Sequence, residues 1–461
     1  MTSRQDQLHS HQFTVQRVVS ALVMRDTDAE RPPLRRTAGA TLAGFVLAVL
    51  LLAAAAVYGV LSPGGGTDWR AGDAVIVERE SGARYVYLDG ALHPVPNQAS
   101  ALLVIGAPGA RTVTVARASI DGVPRAVPLG IPGAPDPLPD RGRLVTGGWT
   151  LCSAPLAGDR VGSVLHLGRV PTGGTELPDG TGLLVAATDG TGYLVWRQHR
   201  YPVSRSALDA LAWGTEPVTT VAPALLNALA AGADLAAPPL PGPVGTASRL
   251  PGFRIGQVAV ETVPGGGRQY AVVLADGLAA VTELQAALLL AGAGAGQREL
   301  SPAEFTARLT APSLVPTGPA APPATRPALA RPRFADRALC GTGRSALSFD
   351  VPGAAAGTAP VPSAAGPVPA ARADRIVLEP GHGAVVSAQP SPDAPGTLCV
   401  VSELGVRYPI PSQDVLGMLG YSGVSPVPVP SALVTLLPEG PALDPVAART
   451  PGSGSYPQAG G

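Results

Sequence analysis

The most apolar part of the chain is a run of 24 residues, 38–61, without a charged side chain. A helix of that length, rising about 1.5 Å per residue, reaches ~36 Å and crosses the ~30 Å hydrocarbon core of a bilayer. A signal peptide has a shorter apolar stretch near residue 1 and fits less well. The pattern therefore predicts a transmembrane helix over 38–61, with a buried helix of a soluble core as the alternative.

Charges on either side of this run predict its orientation. Arg31, Arg35 and Arg36 lie just before it, and Asp68 is the first acidic residue after it. Arginines near the end of a transmembrane helix favour the cytoplasmic side. We therefore expect residues 1–37 in the cytoplasm and the rest of the chain outside the cell membrane.

An aliphatic stripe precedes the predicted anchor. It consists of Val15, Val18, Val19, Leu22 and Val23, spaced so that all five fall on one face of a helix. The stripe predicts an amphipathic helix. This helix either lies on the membrane surface or docks on cytoplasmic partner proteins, and the sequence leaves both open.

Four similar segments follow the anchor, at 85–106, 193–214, 270–292 and 398–420. Each has a short apolar strand, a turn, a second strand that ends near Pro-Val or Pro-Ile, and a helical pattern closed by glycine. The third segment has Ala280 in place of the proline. Chance similarity in a chain so rich in alanine and glycine is the alternative. We interpret the segments as strand–strand–helix repeats.

Such small units cannot bury a core alone, so they must pack on one another or on a central body. Strand-like runs beginning at Arg143 and Ala338 fill the long gaps and predict a central β-rich domain. The predicted fold is a membrane-anchored α+β protein. Its predicted divisions are the cytoplasmic segment 1–37, the anchor 38–61, repeats at 67–110, 186–240, 250–295 and 373–437, central parts at 111–185 and 296–372, and a disordered tail at 438–461.

Composition narrows the class of protein further. The chain has 57 glycines and 51 prolines, which favour short strands and turns over long helices. Proline-rich stretches at 311–332 and 353–371 indicate extended or disordered linkers. The 33 basic residues, all arginine, balance 33 acidic ones. The chain thus has no global charge that would favour nucleic acid or anionic lipid.

Catalytic and metal-binding patterns are missing from the sequence. Without a lysine the chain cannot form a P-loop, and the glycine runs 64–66 and 265–267 fit turns. Neither GxSxG nor HExxH occurs, and His93 and His382 are interpreted as ordinary surface or hydrogen-bonded histidines. Cys152, Cys340 and Cys399 form no CxxC, but a disulfide is compatible with an oxidising compartment. We predict no catalytic residue and no metal site.

One group of side chains in the second repeat suggests recognition. It consists of Tyr193, Trp196, Arg197, His199, Arg200 and Tyr201. Arginine and aromatic residues are common where proteins bind sugars or other proteins. A half-exposed strand pair of a small unit explains the same residues and is the interpretation we favour.

Several motifs resemble the EccB family, membrane components of actinobacterial type VII (ESX) secretion systems. They are TSRQDQLHSHQFTVQRVVSALV at 2–23, YVYLDGALHPVPNQASALL at 85–103, IPGAPDPLPD at 131–140 and LVTGGWTLCSAP at 144–155. The resemblance implies an elongated extracytoplasmic domain with four repeats around a central domain. It also implies a disulfide between Cys152 and Cys340, while Cys399 has no counterpart.

The resemblance further implies a structural and assembly role in the secretion complex of the inner membrane. The expected partners are EccC, EccD, EccE and the mycosin protease, with further copies of the chain in the complex. EccB proteins also carry an ATPase annotation, which makes ATP the one cofactor suggested. Their repeats are similar to phage lysin modules that bind peptidoglycan. ATP hydrolysis and cell-wall anchoring are therefore alternative functions.

Overall fold

The computed structural model describes residues 4–24, 34–61, 67–158, 160–263, 265–293, 296–333, 336–342, 347–358 and 372–451. Two long helices come first, α1 (Arg4–Met24) and α2 (Leu34–Leu61). Within the described residues, no helix is both long enough and apolar enough to count as a membrane span. The anchor over 38–61 stays a prediction.

Unit 1 follows a 3₁₀ helix at Thr67–Ala71. Its elements are β1 (Ala74–Glu78), β2 (Arg84–Leu88), β3 (Ala91–Val95), α3 (Gln98–Ile105), β4 (Arg111–Val115) and α4 (Arg117–Ile120). Strands β1 to β3 form an antiparallel meander, and β4 returns parallel to β1. Asn97 caps α3 by accepting a hydrogen bond from Ser100 N, and Gly106 ends it in the left-handed conformation.

The chain then enters the central sheet through β5 (Thr150–Leu156), β6 (Arg160–His166) and β7 (Thr175–Glu176). Unit 2 comes next. Its elements are β8 (Leu183–Ala187), β9 (Gly192–Trp196), β10 (His199–Pro202), α5 (Arg205–Ala210), β11 (Thr219–Val221), α6 (Pro223–Ala228) and β12 (Ala230–Ala231). The strand order in this sheet is β11-β8-β9-β10-β12, with β11 at one end.

Unit 3 contains β13 (Val258–Val263), β14 (Gly267–Val273), β15 (Leu278–Val281), α7 (Glu283–Ala293), β16 (Gln297–Glu299) and α8 (Pro302–Arg308). The central sheet resumes with β17 (Ala338–Gly341), β18 (Ser348–Val351) and β19 (Arg375–Val377). Unit 4 contains β20 (Ala384–Gln389), β21 (Thr397–Val401), β22 (Arg407–Ile410), α9 (Gln413–Met418), β23 (Val427–Pro430), α10 (Ser431–Val434) and α11 (Pro445–Arg449). The central sheet has the order β19-β6-β5-β17-β18-β7.

The four units of the described chain share one topology. Each has three antiparallel strands, a helix, a strand parallel to the first, and a further short helix. The α+β class and the small sheets agree with the prediction. The sequence segments at 85–106, 193–214, 270–292 and 398–420 are only the middle of each unit, since a strand precedes and follows each one. Gly292, expected just past the third helix, lies inside α7.

A hydrogen bond at the proline position recurs in every unit. The carbonyl there accepts from a leucine N–H far along the chain, in the pairs Pro94–Leu129 (3.0 Å), Pro202–Leu235 (2.8 Å), Ala280–Leu314 (2.9 Å) and Pro409–Leu443 (2.8 Å). The third strand lies at the outer edge of the meander, where proline is tolerated because its missing N–H is not needed by the inner strand. An extended returning segment therefore completes each unit.

This returning segment corrects two predictions. The tail expected to be disordered from residue 438 includes fully buried Leu443 and α11, and Arg449 Nε donates to Val104 O at 2.9 Å. Residues 452–461 lie outside the described residues. The proline-rich stretch 311–332 is extended but held in place, because Tyr201 Oη donates to Ala321 O at 2.9 Å. In the second stretch, 359–371 lie outside the described residues.

The units pack in an order that differs from their order along the chain. Unit 1 and unit 4 share one hydrophobic cluster, in which α3 contacts α9. Unit 2 and unit 3 share another, in which α5 contacts α7. A third cluster joins unit 4, the central sheet and unit 2. The spatial order is therefore unit 1, unit 4, central sheet, unit 2, unit 3.

The observed sheets place the boundaries between units at residues that differ from the predicted ones. A boundary between 110 and 111 separates β1 from its partner β4, and one at 186 cuts through β8. Residues 375–377, assigned to the fourth repeat, form β19 of the central sheet. These differences arise because the flanking strands of each unit are short and lack the proline and glycine signals of its middle.

Candidate interaction surfaces

Cys152 and Cys340 are joined by a disulfide within the central sheet. They are direct partners in the register of β5 and β17, and both are buried. The chain leaves unit 1 through β5 and returns from unit 3 through β17. The disulfide, which spans 188 residues, therefore closes a loop that contains units 2 and 3.

Cys399 is a free, buried thiol on β21. Burial, the main cause, raises its pKa to about 11. Because the thiolate is the reactive form of cysteine, this residue is inert near neutral pH in the folded protein.

The aromatic and arginine group of unit 2 is divided between two faces of its sheet. Trp196 pairs with His199 and Leu194 with Tyr201, so these side chains lie on the face toward unit 3. Tyr193 and Arg200 lie on the other face, where Arg200 Nη1 donates to Asn227 Oδ1 at 2.7 Å. The pleat thus separates the six residues, and they do not form one recognition site.

The β9–β10 hairpin of unit 2 turns at Arg197 and Gln198. Both residues have a left-handed backbone conformation, with φ of 45° and 63°. Asp89 and Gly90 occupy the equivalent positions in the turn of unit 1. Left-handed pairs normally carry Asn-Gly or Asp-Gly. The guanidinium of Arg197 stacks over the Trp196 ring at 4.5 Å, which partly fixes this turn.

The two histidines singled out in the sequence bond backbone carbonyls. His93 Nδ1 lies 2.9 Å from Val127 O, and His382 Nδ1 lies 3.3 Å from Pro380 O. Gly265 to Gly267 lie at the β13–β14 hairpin, whereas 64–66 lie outside the described residues. Across the described ranges, no cluster of three or more His, Cys, Asp or Glu has the arrangement of a metal site.

A carboxylate network links β1 and the β1–β2 turn of unit 1 to α4. Arg117 Nε donates to Glu78 Oε1 at 2.6 Å, and Ser81 Oγ donates to Glu78 Oε2 at 2.8 Å. The hydrogen bond from Arg117, followed by that from Ser81, lowers the pKa of Glu78. Arg125 Nη1 extends the network by donating to Tyr85 Oη at 2.5 Å.

Helix α1 presents the described residues of the predicted stripe to solvent. Val15, Val18, Val19 and Leu22 are all exposed, Leu22 at 78%. A cavity of about 620 Å³ runs along the same helix from Asp6 to Val19. The described part of α1 thus offers an apolar face to another molecule or to a bilayer surface.

Sequence reasoning missed a groove between unit 2 and the central sheet. One chamber of about 390 Å³ lies beside β11, and an adjoining one of about 790 Å³ shares Arg333, Arg337, Phe349 and Asp350 with it. Phe349 and Asp350 lie in β18, whereas Arg333 and Arg337 lie in the segment that precedes β17. Asp350 has φ 56° within β18, a conformation that no sequence pattern signals here.

The family model for the type VII secretion system ESX-1, transport TM domain B (EccB), matches residues 1–453. The chain belongs to the EccB family. Its relatives include the ESX-3 secretion system ATPase EccB3 of Mycolicibacterium smegmatis, 30% identical over 95% of this chain and 88% of that protein. The ESX-1 secretion system ATPase EccB1 of Mycobacterium tuberculosis is 28% identical over 95% of this chain and 92% of that protein.

Solved structures agree with this assignment. The EccB3 dimer from the ESX-3 core complex matches 82% of this chain and 100% of that chain, with 27% identity and a TM-score of 0.58. A chain of an intact ESX-5 inner membrane complex matches 99% of this chain and 96% of that chain, with 24% identity and a TM-score of 0.61. At that identity the ESX-5 likeness shows the fold alone. The EccB family indicated by the sequence motifs is confirmed.

Proposed function

We propose that this chain is a structural and assembly component of a type VII (ESX) secretion complex in the inner membrane. The family match over residues 1–453 carries the proposal. The chain of packed small units supports it, because such an array offers extended surfaces to other proteins. The relatives in the solved structures come from an ESX-3 core complex and an ESX-5 inner membrane complex.

The proposed topology has residues 1–37 in the cytoplasm, a membrane helix over 38–61 and the units outside. Its support is the uncharged run, the arginines before it, and a disulfide on the far side. Labelling of single cysteines introduced at Ser10 and Asp393, with a reagent that cannot cross the membrane, tests the orientation. We expect labelling of intact cells at 393 alone; labelling at residue 10 instead contradicts the topology.

The proposed partners are EccC, EccD, EccE and a mycosin protease, together with further copies of this chain. The exposed stripe of α1 supports a cytoplasmic docking helix. The solved EccB3 dimer supports self-association. We propose that α1 holds cytoplasmic partner segments and that the four units, which we interpret as repeats, build an elongated support outside the membrane.

Affinity capture of the tagged chain after mild detergent extraction tests this function. We expect the other membrane proteins of the secretion system in the eluate in fixed ratios. A matched variant, Leu22→Glu in the α1 stripe, should lose cytoplasmic partners, whereas Gln16→Glu off the stripe should keep them. Recovery of the wild-type chain alone contradicts the proposal.

ATP hydrolysis is a second candidate, favoured by the name ATPase that the EccB3 and EccB1 relatives carry. The chain has no lysine, so a P-loop mechanism is not available to it. Phosphate release by the purified full chain, compared with a mock purification, decides this candidate. Cell-wall anchoring is a third, and sedimentation with purified peptidoglycan tests it.

A further inference from the structure

We propose that the groove between β11 and residues 329–333 binds an extended peptide, which adds as a strand to the outer edge of β11 at Val218 to Thr220 and carries a carboxylate to Arg333. The ligand class is a short peptide with β-branched or apolar side chains at alternate positions and an acidic group near one end. This proposal does not depend on the role of the chain in secretion.

Strand β11 is suited to accept another strand. It pairs in parallel with β8, with Thr219 opposite Val185, and it ends the order of its sheet. Val218 to Val221 are all β-branched, the side chains that fit a pleated surface best. Val218 is 47% exposed. The strand ends against the central sheet, where Ala222 N–H donates to Ser153 Oγ of β5 at 2.8 Å. The preceding edge, at Val218 to Thr220, has the composition of a template for pairing with another chain.

The groove beside this edge has an apolar floor. Pro155, Val161, Leu183, Leu339 and Phe349 contribute to the chamber of about 390 Å³ that also touches Val218 to Val221. Specific peptide sites combine main-chain pairing at an edge with pockets for alternate side chains. The chamber provides such a pocket for one apolar side chain of the added strand.

The segment opposite β11 is fixed at Leu329 and at Arg331. Leu329 pairs in parallel with Gly182, the residue just before β8. Because β9 occupies one side of β8, Leu329 lies on the other side, which is the side of β11. Arg331 then binds Glu216 through two hydrogen bonds, from Nε to Oε2 at 2.8 Å and from Nη2 to Oε1 at 2.7 Å. Because both walls are anchored, the groove is preorganised.

Asp350 determines where Arg333 lies. Its carboxylate accepts the backbone N–H of Arg333 at 3.1 Å on each oxygen, and it is only 7% exposed. Left-handed backbone within a strand is costly and tends to occur where function requires it. This contact uses the main chain of Arg333, whose exposed side chain lines both chambers. Arginine in such a position binds a carboxylate in a fixed geometry.

The test uses the full chain in detergent and a labelled seven-residue peptide library. Positions 1 and 3 are Val, Ile or Thr, position 5 is Leu or Phe, position 6 is Asp or Glu, the others are mixed, and the C-terminus is free. We expect saturable binding by fluorescence anisotropy, with slower amide exchange at 218–220. Arg333→Glu should weaken binding about tenfold or more, whereas Arg268→Glu on the exposed β14 should not.

Peptide chemistry separates strand addition from mere charge attraction. Methylation of alternate backbone nitrogens in the peptide should abolish binding without any change to the protein. Replacement of the acid at position 6 by its amide, and separately amidation of the C-terminus, identifies which carboxylate meets Arg333. Absence of saturable binding up to millimolar peptide, or binding indifferent both to Arg333→Glu and to backbone methylation, overturns the proposal.

Discussion

The backbone N–H of Leu443 donates a hydrogen bond to the carbonyl of Pro409 at 2.8 Å, and so ties the end of the described chain to β22. The same bond joins Leu129 to Pro94 and Leu235 to Pro202 in the other units that carry the proline. The C-terminal segment is thus an integral part of unit 4.

Truncation of the returning segment should therefore destabilise the protein. Removal of residues 452–461, which lie outside the described residues, is the reference truncation. Removal of 438–461 should lower the melting temperature clearly, because Leu443 loses its buried site and α11 no longer contacts α3. Thermal unfolding of the two truncated chains checks this. Equal melting temperatures for both would contradict the assigned role of the returning segment.

Gly440 should not tolerate a side chain. A Cβ at this position would overlap the ring of Tyr408, just as one at Gly232 would overlap Tyr201. We expect Gly440→Ala to destabilise the protein by about 1–3 kcal/mol, the usual cost of overpacking. Denaturant unfolding measures the change. Gly142→Ala is the matched control, since nothing lies within 4 Å of its Cβ, and it should have little effect.

Removal of the Cys152–Cys340 disulfide should lower stability. Closing so long a loop stabilises by up to about 5 kcal/mol in the chain-entropy model. We expect the double variant Cys152→Ser and Cys340→Ser to unfold at a markedly lower denaturant concentration than the wild type. A reductant should lower the unfolding midpoint of the wild type but not that of the double variant. Cys399→Ser should keep the response to reductant. A wild-type unfolding curve that reductant does not shift would show that the bond contributes nothing.

The thiol of Cys399 should resist alkylation. With its pKa raised to about 11 by burial, almost none of it is thiolate at pH 8. Mass spectrometry after treatment with iodoacetamide should find it unmodified in the native protein and modified in denaturant. Rapid native modification would show that β21 is open in solution.

The pH dependence of stability should reveal the contribution of the Glu78 carboxylate to folding. Its pKa is lowered in the folded state, so its contribution is present above the unfolded value of about 4.3 and is lost as pH falls toward the folded value. We expect the difference in melting temperature between wild type and Glu78→Gln to shrink between pH 6 and pH 3. Asp393→Asn, at an exposed position outside this network, is the control variant. A constant difference for Glu78→Gln would contradict the network.

The sequence revealed the middle of each unit because proline and glycine mark β3, β10 and β22 and the turns and caps around them. It did not reveal the flanking strands, such as β4 and β16, because these are short and pair with partners distant along the chain. The returning segments resembled linkers, since their order comes from a few hydrogen bonds to a strand distant along the chain. Arg333 and Asp350 were missed because tertiary packing alone brings them together.

The mass of the detergent-solubilised chain, purified natively through one affinity tag, is the decisive test of the proposed assembly role. An assembly component should elute in a particle far larger than the 46.2 kDa chain, with several other membrane proteins of the secretion system in fixed ratio. A particle that contains only this chain and detergent, under conditions that keep other inner-membrane complexes intact, would contradict the account.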